Sequence, residues 1–242
     1  MKIAVGIPAR YASTRLPGKP LAPLAGRPMI LHVVERALQA DVGRVFVATD
    51  DARIAAAVEG AGAEVCMTPE ACGSGTERLA CAVQEIACDI VINLQGDEPL
   101  IDPEAIRAVV TPFRNEPDLP MATLAHPLRD EFDFNRSDVV KVVCNAAGHA
   151  MYFSRAPIPY MRTESATPLQ HVGLYAYRRD FLLRYPDLAP APTEQAEQLE
   201  QLRALHHGHR IAVTVGDFAC VGIDTPEDLD RAEAQLNRRP SR

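Results

Sequence analysis

The feature that most constrains the fold is a rhythm in the first half of the chain. Short runs rich in Val and Ile alternate with longer stretches of helical periodicity. KIAVGIP at 2–8, RVFVATD at 44–50, EVCMT at 64–68 and DIVINLQ at 89–95 read as strands. Residues 28–40, 51–62, 76–87 and 102–113 carry apolar side chains at helical spacing. The strand at 2–8 is a near-continuous apolar run, as expected of a strand covered on both faces. This alternation predicts a mostly parallel sheet with helices on both sides, an α/β sandwich of three layers. The rhythm changes after about residue 118. MATLAHPL, VVKVVCN, HAMYFSR and HVGLYAYRR are strand-like and lack helices of similar length between them. Antiparallel strands, or a smaller lobe within about 119–190, belong there. Helical character returns at 193–206, followed by a strand at 210–216 and a last helix at 226–236. The chain reads as one domain over 1–242.

Composition excludes several classes. With 32 acidic and 25 basic residues the formal charge is −7, which argues against broad binding to a nucleic-acid backbone. No apolar run approaches the ~18 residues of a membrane span, so no membrane insertion is expected. The N-terminal apolar run stops at Pro8 and Arg10, too short for a signal-peptide core, and the chain reads as cytoplasmic. None of the six cysteines forms a Cys-x-x-Cys pair, so zinc-ribbon and thioredoxin-type readings have no support, and each reads as a small apolar side chain. Phosphate-binding Gly-x-x-x-x-Gly-Lys, dinucleotide Gly-x-Gly-x-x-Gly and hydrolase Gly-x-Ser-x-Gly patterns are all absent.

The most informative stretch is PARYASTRLPGKPLAPLAGRP at 8–28, between the first strand and the first helix. In a parallel sheet, loops at the carboxyl ends of strands line the ligand crevice. Arg10, Arg15 and Lys19 stand beside Ser13, Thr14 and Gly18. Cations, hydroxyls and closely approaching amides are what a polyphosphate requires. A solvated basic loop with a Pro-Gly turn is the other reading of the same residues. Asp97 closes the strand at 89–95, in QGDEP, and Asp224 stands in GIDTPEDL. Two carboxylates facing a phosphate loop suit magnesium, which takes one or two carboxylates together with phosphates and water. Asp97 as a turn carboxylate and Asp224 as a capping residue are the alternatives. Thr225, Pro226 and Asp228 have the spacing of a capped helix start. His171 shares a strand face with Tyr175, which leaves both a ligand contact and a core position open.

PARYASTRLPGKPL, SGTERLA, QGDEPLI, YFSRAPIP, HVGLYAYR, LEQLRAL and GIDTPEDL, in this order over almost the whole chain, resemble the 3-deoxy-manno-octulosonate cytidylyltransferases, within the wider sugar-acid cytidylyltransferase family. The resemblance implies a nucleotide-binding α/β sandwich whose smaller lobe forms a homodimer contact. It implies transfer of CMP from CTP to 3-deoxy-D-manno-octulosonate (Kdo), giving CMP-Kdo for lipopolysaccharide synthesis and pyrophosphate. The same reaction on the 8-amino analogue, sialic acid or pseudaminic acid is the alternative. On this resemblance Arg10, Ser13, Arg15 and Lys19 hold the CTP phosphates, while Ser74, Gly75 and Thr76 read cytosine. Asp97 and Asp224 hold Mg2+, and with Arg10 and Lys19 they form the catalytic set. Gln95, Arg155, His171, Tyr175, Glu200 and Gln201 surround the sugar acid. Gln170 departs from the pattern, standing where many relatives have a basic residue before the histidine.

Overall fold

A computed structural model of the chain describes residues 1–12, 16–163, 166–218, 222, 223 and 225–238. Its strands are β1 (Ile3–Ala9), β2 (Pro23–Leu24), β3 (Arg27–Pro28), β4 (Arg44–Thr49), β5 (Glu64–Met67), β6 (Ile90–Asn93), β7 (Met121–Pro127), β8 (Lys141–Cys144), β9 (Ala150–Ser154), β10 (Leu169–Arg178) and β11 (Ile211–Val215). Among the described residues nine of them form one sheet, whose main path runs β11-β7-β10-β6-β1-β4-β5. The pairs β1–β4, β1–β6, β4–β5 and β7–β11 are parallel. β10 enters antiparallel between β6 and β7. β8 and β9 add an antiparallel extension on β10, and β2 pairs with β3 in a separate ribbon. The sheet is thus mostly parallel along its main path, with the antiparallel strands in the second half of the chain.

The helices are α1 (Met29–Ala40), α2 (Ala52–Val58), α3 (Gly75–Ala82), α4 (Pro103–Ala108), α5 (Pro112–Asn115), α6 (Glu131–Asn135), α7 (Arg179–Arg184), α8 (Pro192–Glu197), α9 (Gln201–His206) and α10 (Pro226–Arg238). Strand alternation sorts the core into two faces. Val5, Ile7, Val45, Val47, Ile90 and Ile92 face one way, onto Ile30, Val33 and Val34 of α1, Ile54 of α2 and Ile106 of α4. Ala4, Phe46, Ala48 and Val91 face the other way, onto Leu79 of α3, Phe181 of α7 and Leu202 of α9. Gly6 lies where a Cβ would stand 2.6 Å from both Leu79 Cδ2 and Phe46 Cζ. A side chain there would push α3 off the sheet.

Two expected helices are broken. The stretch at 102–113 divides into α4 and α5, because Pro112 has no N–H to continue the ladder. The stretch at 193–206 divides into α8 and α9, with Gln198 in the left-handed conformation at φ 52°. Neither Gly nor Pro interrupts this second stretch. The cause is tertiary: Arg155 Nε takes the Glu197 carbonyl at 2.6 Å, and Arg155 Nη2 takes the Gln198 carbonyl at 3.3 Å. The Glu197 carboxylate in turn accepts from Ser154 Oγ at 2.6 Å and from the Arg155 N–H at 2.9 Å.

Candidate active site

A cleft of about 270 Å³ opens at the carboxyl ends of β1 and β6. One wall is the end of β1, with Pro8, Ala9 and Arg10. Lys19 and Pro20 form a second wall, Cys72 to Gly75 with Arg78 a third, and Gln95 to Asp97 the floor beyond β6. Most of the sequence-derived nucleotide residues that the structure describes therefore converge on one crevice, as loops at strand carboxyl ends do in open α/β sheets. Ser13, Arg15 and Asp224 lie outside the described residues.

Lys19 begins a single-turn 3-10 helix behind Gly18, whose φ of 69° is left-handed and suits glycine. The Gly18 N–H donates to the Tyr11 carbonyl at 3.1 Å and closes the loop on itself. The Arg53 guanidinium stacks 3.3 Å from the centre of the Tyr11 ring, so α2 anchors the loop base. Arg53 also pairs with Asp51, and that hydrogen bond holds the Asp51 carboxyl down at about 2. The loop so held places Lys19 Nζ 2.6 Å from Asp97 Oδ2. These two groups are 78 positions apart in sequence, and their ion pair bridges the cleft from loop to floor. The backbone carbonyl of Asp97 accepts from the Ile223 N–H at 2.9 Å. Ile223 is buried with Leu24, Met29 and Leu100, which fixes the segment beside Asp97. Thr225 and Asp228 form the reciprocal cap their spacing predicts, with Thr225 Oγ1 accepting from the Asp228 N–H at 3.2 Å and Asp228 Oδ2 from the Thr225 N–H at 3.0 Å.

Ser74 caps α3, its Oγ accepting from the Glu77 N–H at 3.2 Å. The same hydroxyl lies 3.2 Å from Glu200 Oε1, joining the cleft to the start of α9. Gly75 sits where a Cβ would come 3.1 Å from Pro8 Cγ, so the α3 start packs directly on the β1 end. Thr76 Oγ1 accepts from Asn93 Nδ2 at 3.3 Å, and Asn93 Oδ1 accepts from Gln95 Nε2 at 3.0 Å. Gln95 is thereby held in the cleft floor.

The remaining sugar-side candidates form a buried, largely aromatic region next to this polar chain. Tyr175 pairs with Asn93 across the β10–β6 ladder, which brings the first half of β10 to the cleft end of the sheet. His171 is buried, with Nε2 3.0 Å from Thr123 Oγ1 and its ring 4.9 Å from Phe153 and 5.3 Å from Tyr175. Burial pushes its pKa down to about 3, so it is neutral at physiological pH. Burial likewise raises the Tyr175 hydroxyl well above its ordinary value, and raises the Glu200 carboxyl against the opposing hydrogen bonds from Ser74 and Thr76. The Glu200 carbonyl accepts from the Tyr185 hydroxyl at 2.7 Å. Gln201 is buried, and its Nε2 has no hydrogen-bond partner among the described residues. Arg155 stands apart from this group, its guanidinium engaged by the carbonyls of Glu197, Gln198 and Ser137.

Sequence reasoning missed Arg78. It is 3% exposed, lines the cleft, and donates to Asp50 Oδ2 at 2.7 Å and Thr68 Oγ1 at 2.6 Å. These contacts tie the third wall of the cleft to the ends of β4 and β5. The available signal was a charged residue next to Leu79 and Ala80, two core positions of one helix. Lys141 was also missed. It is fully buried, with Nζ bonded to the carbonyls of Arg136, Val139 and Arg155, and burial lowers its pKa. No group of three or more His, Cys, Asp or Glu gathers as a metal site among the described residues. No helix among them is long and apolar enough to cross a membrane.

Comparison with known proteins identifies the family. Residues 4–211 match the family model described as cytidylyltransferase. The chain is 49% identical to the 3-deoxy-manno-octulosonate cytidylyltransferase of Syntrophotalea carbinolica, over 98% of this chain and 99% of that one. It is 54% identical to the enzyme of the same name from Anaeromyxobacter dehalogenans, over 97% of each. A solved structure of CMP:2-keto-3-deoxy-manno-octonic acid synthetase complexed with CTP superposes with a TM-score of 0.94 at 46% identity, covering 98% of this chain and 99% of that one. A cytidylyltransferase structure from Leptospira borgpetersenii, at 18% identity and a TM-score of 0.69 over 100% of this chain and 89% of that one, shares the fold. The chain belongs to the cytidylyltransferase family, among the 3-deoxy-manno-octulosonate cytidylyltransferases.

Proposed function

We propose that the protein transfers CMP from CTP to 3-deoxy-D-manno-octulosonate, releasing pyrophosphate and giving the activated sugar used in lipopolysaccharide synthesis. The observation that carries the reading is the Lys19–Asp97 pair across the cleft, at 2.6 Å, between a cationic loop and the end of β6. In the reaction the anomeric hydroxyl oxygen of the sugar acid bonds to the α-phosphorus of CTP. The bond from that phosphorus to the bridging oxygen breaks, pyrophosphate leaves with the bonding pair, and the hydroxyl proton passes to solvent.

Arg10 and Lys19, with Arg15 and Ser13, bind the triphosphate and stabilise charge on the leaving pyrophosphate. A cation about 4 Å from a phosphate charge gains roughly 4 kcal/mol at an effective dielectric of 20, before desolvation. Ser74, Gly75 and Thr76 hold the cytosine at the start of α3. On the sugar side, Gln95, Glu200, Gln201 and Tyr175 bind hydroxyl groups, and the orphaned Gln201 amide supplies a donor already dehydrated. Neutral His171 supports that wall from within, and Arg155 fixes the break that points Glu200 at Ser74.

A magnesium site fits the donors present. Asp97 offers hard carboxylate oxygens at the phosphate end of the cleft, balanced there by a lysine whose natural alternative partner is a phosphate. Asp97, with Asp224, would hold Mg2+, which when bound neutralises charge at the α-phosphate and lowers the pKa of the attacking hydroxyl.

A homodimer through the lobe within 119–190 is supported by Phe132, Met151 and Tyr160, which are 72%, 63% and 88% exposed there. Gel filtration with light scattering reads that state.

The activity test pairs Asp97→Asn with an acceptor panel. Asp97→Asn keeps its circular-dichroism spectrum and loses roughly a hundredfold or more in pyrophosphate release. Near-normal turnover at saturating magnesium overturns the assignment. With CTP, 3-deoxy-D-manno-octulosonate is the preferred acceptor over its 8-amino analogue, sialic acid and pseudaminic acid; the reverse order overturns the substrate.

A further inference from the structure

Cys72 lines the cleft immediately before Gly73 and Ser74, and Cys81 lies further along α3, outside the cleft lining. The Cys72 thiol points at Cys81 Sγ, 3.7 Å away. Both side chains are part-exposed rather than sealed in the core. The segment between them is held at its start by two local bonds. Glu77 Oε2 accepts from the Gly73 N–H at 2.8 Å, and Ser74 Oγ accepts from the Glu77 N–H at 3.2 Å. Cys81 belongs to a helix packed on the sheet through Leu79, whereas Cys72 belongs to the loop ahead of it.

We propose that Cys72 and Cys81 are an oxidisable dithiol, a modification site at which a peroxide forms an intramolecular disulfide beside the nucleotide cleft. The Cys72 thiolate attacks one peroxide oxygen; the O–O bond breaks, and the departing hydroxide takes a proton to become water. Cys81, losing its proton, then attacks the resulting sulfenic sulfur; the S–O bond breaks and a second water leaves. The two thiols give up two electrons and two protons in all, and the peroxide is reduced to two waters. A disulfide requires a sulfur separation of about 2.05 Å. Cys81 is anchored in α3, so the loop carrying Cys72, Gly73 and Ser74 makes the closing movement. That movement changes the wall that holds the nucleotide and weakens CTP binding. Burial and the hydrogen bond to Cys81 hold the Cys72 thiol above its ordinary value, so the reaction quickens as pH rises. The bond formation stands on the sulfur geometry alone; the effect on CTP also rests on the cytidylyl-transfer reading.

The test treats the full-length, fully reduced chain with hydrogen peroxide at neutral and at alkaline pH. Unreacted thiols are then alkylated, and the mass and peptide map are read. The expected product is lighter by two hydrogens, links the Cys72 and Cys81 peptides, and forms faster at alkaline pH. Its KM for CTP rises severalfold, its KM for the sugar acid stays near that of the reduced enzyme, and thiol reductant reverses both changes. Cys81→Ser has normal activity when reduced, forms no such link, and keeps its CTP KM under oxidant. Recovery of Cys72 and Cys81 both alkylated while other cysteines oxidise overturns the site. A link that forms without moving the CTP KM overturns the consequence for the nucleotide. A reduced enzyme with no transferase activity would defeat the functional reading and leave the link to be judged by its own mass.

Discussion

The cleft and the region beside it, proposed as the nucleotide half and the sugar half of one site, are built from opposite materials. The nucleotide half, at the ends of β1 and β6, is a set of polar loops whose charged groups meet part-exposed, as Lys19 and Asp97 do at 12% and 34% side-chain exposure. The proposed sugar half, carried by β10, β9 and α9, is a largely aromatic group, with His171 buried and Tyr175 and Glu200 half-buried, in which desolvation drives all three toward their neutral forms. The first can exchange its internal ion pair for contacts to a polyphosphate at small cost. The second gains its precision from packing and from internal hydrogen bonds, with the Gln201 amide nitrogen left without a partner among the described residues. The difference teaches where each half is vulnerable: charge removal should affect chemistry in the nucleotide half and folding in the sugar half.

The largest effect expected on that contrast comes from Lys19→Met. We expect kcat/KM for CTP to fall by roughly a hundredfold to a thousandfold, about 2.7–4 kcal/mol of transition-state stabilisation. Its unfolding free energy from urea denaturation should change by less than about 1 kcal/mol, because a part-exposed pair contributes little to stability. A comparable loss in stability would erase the distinction between the halves. Lys141→Met should show the converse. Three carbonyls, one buried and two part-buried, lose their common donor, and equilibrium denaturation should show a loss of about 3 kcal/mol. The KM for CTP should hold in whatever fraction stays folded. Unchanged stability would show that β8 and β9 do not depend on this internal cation.

Per pH unit, the smallest effect is that of titration. Folded His171 titrates at about 3, while an unfolded chain binds that proton near the ordinary 6.5. Its contribution to stability is therefore fully present above about 6.5 and declines as pH falls toward about 3. His171→Gln should be less stable than the parent at neutral pH, with the gap narrowing by up to about 1.4 kcal/mol per pH unit through that window. A gap that stays constant from neutral to acid would mean that His171 is not held neutral by burial.

The nucleotide half was largely legible before any coordinates. Its strands are the Val- and Ile-rich runs, and its functional groups follow those runs directly in sequence, so strand ends and loops together locate them. Arg10 and Lys19 follow β1, Asp97 follows β6, and Ser74 caps α3 with its own hydroxyl. The sugar half was legible mainly through resemblance. The spacing of His171 and Tyr175 on one strand face left a ligand and a core position equally open, and only the structure shows His171 to be buried and neutral. Arg155, which the resemblance sets beside the sugar acid, has its guanidinium occupied by three carbonyls. Helical periodicity ran unbroken through 193–206, and the break at Gln198 was invisible because its cause lies in β9.

What the sequence determined by itself was the alternation of strands and helices, the division of apolar side chains between two sheet faces, and the gathering of cations after the first strand. These depend on neighbours a few residues apart, where periodicity, capping and turn chemistry act. Only the tertiary structure decided the antiparallel entry of β10, the meeting of Lys19 with Asp97, the split between α8 and α9, and the contact of Cys72 with Cys81. Strand insertion and helix breakage here are settled by hydrogen bonds and burial between distant segments, and no local pattern carries that information.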